Sequence, residues 1–164
     1  MQGLFLRNNM EKEITFLVVV DESEEMFRAM RYAARRSSRN NGRVALLYTF
    51  DILEFSHWKA VEDIAEAESR EKAESKIKEY ENFIMSFSSK KPKKFIMKGD
   101  RVECIIKFLD ANKFISNFVL AASEGSSASD PLIASFTGKS RSKIKVPLTI
   151  LPSTLSEEEI DKLS

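Results

Sequence analysis

Cysteine and histidine are almost missing from this chain of 164 residues, which has Cys104 and His57 and no others of either type. A single cysteine cannot build a disulfide framework, and no Cys/His spacing fits a zinc site, so a reducing, cytoplasmic setting is expected. Net charge is also nearly absent. The 26 basic side chains almost cancel the 25 acidic ones, leaving no long-range field to draw in nucleic acid or an anionic membrane. The basic runs KKPKK and KSRSKIK lack interleaved aromatics and read as solvated turns, so no nucleic-acid partner is expected. No apolar run is long enough to span a bilayer, and the short apolar cluster near the start, GLFL, is too brief for a signal segment. Internal repeats and low-complexity linkers are lacking too.

What is present is a regular alternation. The stretch Ile14 to Asp21, ITFLVVVD, is β-branched, nearly uninterrupted in apolarity and closed by acids, as a strand buried on both faces requires. The next segment repeats Phe27, Met30 and Ala34 at helical spacing, with glutamates leading and arginines trailing in the order the helix dipole favours. Asn41 and Gly42 supply its stop, and RVALLYTF begins a second strand. From Ser56 to about Phe87 a long, mostly solvated helix is expected, with Ala73, Ile77, Tyr80, Ile84 and Phe87 on its inner side. KFIMK follows as a short strand ended by Gly99. VECIIKFLD then forms a helix, FVLAA a strand, and a helix opens at Ser129, Asp130 and Pro131 before a last strand, IKVPLTIL. Pro147 inside that strand removes a ladder donor and places it at a sheet edge. The tail, STLSEEEIDKLS, reads as a short helix with Ser156 and Glu159 as a capping box.

Five strands alternating with helices predict an α/β fold: a doubly wound, mostly parallel sheet with helices on both faces, a Rossmann-like or flavodoxin-like three-layer sandwich. One domain spans residues 1–164, with a core of about 14–152 and a helical tail over 153–164.

The strand ends VVVDES and LLYTF, Gly99 before the third helix, the strand LAASEG and the closing VPLTILP occur in an order that resembles the universal stress protein family over nearly the whole chain. The likeness is closest to a bacterial branch in which a His-Trp pair, here His57 and Trp58, starts the long helix and an acidic helix ends the chain. The resemblance implies a homodimer joined through the last strand, Ile144 to Leu151, and in one subset of the family an ATP or AMP ligand. In that subset a loop of the form G-x2-G-x9-G-S/T follows the fourth strand and an aspartate follows the first. Asp21 matches the aspartate, Thr49 falls where a valine often lies beside adenine, and Gly125 matches the second loop glycine. Ala122, Ser135 and Phe136 stand at the other loop positions, with Gly138 displaced by three.

Two functions follow. The first is a homodimeric stress-response or regulatory protein with an altered nucleotide site, acting by binding a small molecule or partner. The alternative is a switch that binds ATP or AMP with slow hydrolysis, using Asp21, Thr49, Gly125, Ser126, Ser127 and Gly138 as nucleotide contacts. Ser126, Ser127 and Ser129 offer hydroxyls to a phosphate, whereas Asp130 would repel it and cap the same helix, with Lys139 as an offset. Asp21 has two expected roles, ligand contact and helix cap. Gly138-Lys139-Ser140 is no Walker loop, because Ile133 occupies the place of its first glycine. Cys104 reads as a small core residue. No metal site is expected, and no pair of groups is placed by the sequence for acid-base or nucleophilic work, so no catalytic residue is expected.

Overall fold

A computed structural model describes residues 12–51, 59–125 and 130–164. The elements run β1 (Thr15–Val20), α1 (Glu24–Arg39), β2 (Arg43–Phe50), α2 (Lys59–Met85), β3 (Lys93–Lys98), α3 (Arg101–Ala111), β4 (Ile115–Ala121), α4 (Pro131–Thr137), β5 (Leu148–Leu151) and α5 (Glu157–Leu163). The sheet has the order β3-β2-β1-β4-β5, and every neighbouring pair is parallel, not mostly so.

The β1 sequence shows why the sheet is covered twice. Its side chains alternate between faces with period two. Phe16, Val18 and Val20 join Met26, Met30, Ile77 and Ile84 of α1 and α2, while Leu17 and Val19 join Ile105, Phe108 and Phe136 of α3 and α4. A strand buried on both sides has no solvated face for alternating polar residues, so from Phe16 to Val20 the run is apolar.

The turn after α1 uses two residues for two purposes. Asn41 takes the left-handed conformation, with φ of 50°, and the Gly42 amide returns to the Ser37 carbonyl at 2.7 Å. Gly42 itself must be small, since any Cβ there would collide with the Ile14 carbonyl.

The last strand is shorter than its sequence run. β5 begins at Leu148, so Pro147 precedes the ladder rather than interrupting it, and its carbonyl still accepts from the Phe118 amide at 2.9 Å. The edge position holds, because β5 pairs with β4 alone.

The tail helix α5 has the expected capping box, with Ser156 and Glu159 bonding each other's backbone. It lies on α1, where Arg31 grips Asp161 with two bonds of 2.8 and 2.9 Å and reaches Glu157 at 2.6 Å. Arg35 adds a bond of 3.2 Å to Asp161, and Arg39 bonds the carbonyls of Asp161 and Ser164. Both Arg31 and Arg35 lie over the Phe87 ring. Cys104 is a buried core residue of α3, as its sequence neighbours imply, and burial pushes its thiol up.

Candidate functional site

In a sheet with this order, the chain leaves β1 toward one face and β4 toward the other, so the loops after them part and leave a crevice. A cavity of about 300 Å³ lies there. Val18, Val19 and Val119 to Ala121 form its floor, and α1, α3 and α4 contribute Met26, Val102 and Leu132 to its walls. Its charged lining consists of Asp21, Glu25, Asp100, Arg101 and Asp130.

Asp21 follows β1 and lines this cavity. Its capping role is different from the expected one. Ser23 caps α1, accepting from the Met26 amide at 3.3 Å. Asp21 Oδ1 in turn accepts from the Ser23 amide at 3.0 Å and hydroxyl at 2.6 Å, so it orients the cap instead of making it. Among the described residues its Oδ2 has no hydrogen bond.

Between these two residues Glu22 has a φ of 62°, a left-handed conformation that costs a non-glycine residue energy. Tyr48 of β2 donates its hydroxyl to Glu22 Oε1 at 2.7 Å and so fixes the turn. Burial, followed by this carboxylate, pushes the phenol up to about 12.

Thr49 does not line the cavity. It is buried in β2, and its hydroxyl accepts from Arg101 Nε at 3.2 Å. Arg101 is the cationic lining residue, so Thr49 reaches the site through it. Arg101 and its neighbour Asp100, which caps α3 by accepting from the Glu103 amide at 3.0 Å, were not anticipated. The signal was present: Asp100 followed three residues later by Glu103 marks a helix start.

Gly125 sits in the turn after β4 with a φ of 119°, a conformation that L-residues avoid, so this position needs glycine. Ser126, Ser127 and Ser129 lie outside the described residues, as do His57 and Trp58. Gly138 ends α4, with a φ of −108°, at the opposite end of that helix from the cavity. Four residues of helix lie between Ile133, which lines the cavity, and Gly138, a length of roughly 6 Å. A Cβ at Gly138 would approach the Ala134 carbonyl to 2.7 Å, which explains the glycine by close packing at a helix end.

The remaining loop positions are part of the core. Ser135 is buried and donates to Ser140 at 3.0 Å, and Phe136 is buried edge-on to Phe118 with ring centroids 5.3 Å apart. Asp130 departs from expectation as well. It makes no side-chain cap on α4 and instead accepts the Ser123 amide at 3.1 and 3.2 Å with its two oxygens. Among the described residues, no three His, Cys, Asp or Glu side chains are grouped so as to hold a metal ion.

The comparisons with known proteins agree with this architecture. The universal stress protein family matches residues 15–152. No curated protein matches the sequence. Among solved structures, the universal stress protein UspA from Lactobacillus plantarum is 21% identical with a TM-score of 0.66, the match covering 85% of this chain and 98% of that one. A hypothetical protein solved as a test case of structural genomics is 19% identical with a TM-score of 0.70, covering 88% and 99%. A universal stress protein in complex with cAMP is 14% identical with a TM-score of 0.60, covering 86% and 98%. At these identities the likeness shows a shared fold.

Proposed function

The chain belongs to the universal stress protein family, and on that premise we propose that it is a homodimeric, non-enzymatic stress or regulatory protein whose nucleotide site has been altered and which acts by binding a small molecule at the switch-point cavity. One observation carries this reading. The positions that would complete a glycine-rich phosphate loop are filled by Ser135 and Phe136, which are buried in α4. A phosphate loop needs backbone amides exposed at close range, and a packed helix face cannot provide them. In this reading the protein works in the cytoplasm, in keeping with its lone buried thiol.

Because the loop is altered at several positions together, Ala122→Gly alone is expected to leave ATP binding undetectable in a calorimetric titration with magnesium. Micromolar binding after that single change would overturn the reading.

A second reading is favoured by one finding, the solved relative of the same fold in complex with cAMP. Here the protein is a switch for ATP or AMP with slow hydrolysis, using Asp21, Gly125 and the adjacent serines. It requires that millimolar ATP with magnesium raise the melting temperature and that Asp21→Ala abolish the rise.

A further inference from the structure

We propose that the arginine-lined face of α1 is a docking surface for an acidic helix of a partner protein, and that α5 is the chain's own occupant of it.

The arginines of this face stand in one row. Arg28, Arg31, Arg35 and Arg39 follow one another at intervals of three, four and four residues along α1, so they share one side of the helix. All of them point their guanidinium groups at the tail. Arg31 holds Asp161 and Glu157, Arg35 adds a bond to Asp161, and Arg39 donates to the carbonyls of Asp161 and Ser164. Arg28 reaches the carbonyls of Pro152 and Leu155, in the link between β5 and α5. Phe87 lies under the row, with the guanidinium carbons of Arg31 and Arg35 5.0 and 4.9 Å from its ring centre. Guanidinium forks steadied on an aromatic ring are suited to gripping carboxylates that a helix presents.

Three observations set this contact apart from the packing of an ordinary tail. The family match ends at residue 152, so the helix on this face lies outside the shared fold. α5 has seven residues, too few to persist as a helix alone in water, and Ile160 is its one buried apolar side chain, while Leu163 is 57% exposed. Its attachment therefore rests largely on charge, which salt screens and a competing acid can replace. Finally, α5 leaves the face incompletely satisfied. Arg35 Nε is shut off from water yet donates to no acceptor among the described residues. A carboxylate set side-on to Arg35 would take Nε and Nη2 together, the two-bond grip that Asp161 gives to Arg31 and not to Arg35. The face reads two acids four residues apart with an apolar residue before the second, the pattern of Glu157, Ile160 and Asp161.

The test follows labelled peptides binding to the full chain by fluorescence anisotropy. One peptide copies residues 153–164, and the other is an alanine-based helix that keeps only Glu157, Ile160 and Asp161 of that sequence. Asp161→Lys and Ile160→Asp are two ways of releasing α5 within the full chain, and circular dichroism with the melting temperature checks that each variant folds. Both peptides are expected to bind the released variants at least about tenfold more tightly than the unaltered chain, where the tethered α5 competes at high effective concentration. Adding Arg31→Gln to a released variant, or raising the salt to about 0.5 M, is expected to weaken both peptides about tenfold or more. If the copied sequence binds and the alanine-based helix does not, the face is a seat fitted to its own tail and the proposal is wrong. Failure of both peptides on folded variants overturns it as well. Unfolding of both variants would show that α5 is a required part of the fold, which is equally incompatible with an exchangeable occupant.

Discussion

Glu22, in the turn after β1, carries a backbone cost that a side-chain bond offsets. A left-handed backbone at a glutamate is unfavourable by about 1 kcal/mol relative to glycine, and the Tyr48 hydroxyl offsets that cost through its bond to the carboxylate. The two effects are therefore coupled. Tyr48→Phe is expected to destabilise the protein by about 1 kcal/mol in urea unfolding, and by close to nothing when Glu22→Gly is already present. Equal losses in both backgrounds would show that the bond does not support the turn. None of this was legible from sequence, because Tyr48 reads as one more residue of an apolar strand and Glu22 as the first acid of a helix. The place of Asp21 beside the cavity was legible, since an acid that follows a buried parallel strand stands at the end of the sheet where such a crevice opens. Its division of labour with Ser23 was not, because cap assignments turn on a single dihedral angle that composition does not reveal.

At the scale of elements, the sequence carried the strands and the tail helix well. β1 and β2 are mostly apolar runs, save for Thr15 in the first and Arg43, Tyr48 and Thr49 in the second, and α5 begins with the reciprocal Ser156 and Glu159 pattern whose bonds are local. Where α5 would dock was hidden. The arginines trailing along α1 look like a solvated face complementing a dipole, and only the folded chain brings Arg31, Arg35 and Arg39 to Asp161 and the chain terminus. The same distance effect hid Arg101 on Thr49, residues 52 apart in the chain. The α5 contact has a pH signature. Hydrogen bonds from Arg31, the largest effect, together with the charges of Arg31 and Arg35 and a bond from Arg35, outweigh the opposing effect of burial and hold the Asp161 carboxyl at about 2. A carboxylate with a depressed folded-state pKa contributes its full stability above its ordinary range, near ~4, and loses it as pH falls toward the folded value. Asp161→Asn is expected to cost about 1–2 kcal/mol at neutral pH, discounted for the partial exposure of these groups. It should also flatten the dependence of stability on pH between ~4 and ~2, measured by urea unfolding across that range. An unchanged slope would mean that α5 is held by the burial of Ile160 rather than by its charges.

At the scale of the molecule, the sheet order, parallel throughout, sets both the cavity and the exposed edge. Leu148, Thr149 and Ile150 are half-buried in β5, one of the two edge strands, and a second copy pairing there would bury them further. If the dimer forms through this strand, Leu148→Lys or Ile150→Lys yields monomers on a calibrated sizing column, and unchanged elution moves the interface elsewhere. The central claim concerns the cavity: in the proposed altered site, Ser135 and Phe136 lie buried in α4 where a glycine-rich phosphate loop would continue. The most direct test is to purify the protein quickly, denature it, and identify any released small molecule by chromatography and mass spectrometry. The account predicts a released compound other than ATP or AMP, or an empty protein. ATP or AMP released in near-stoichiometric amount would contradict it.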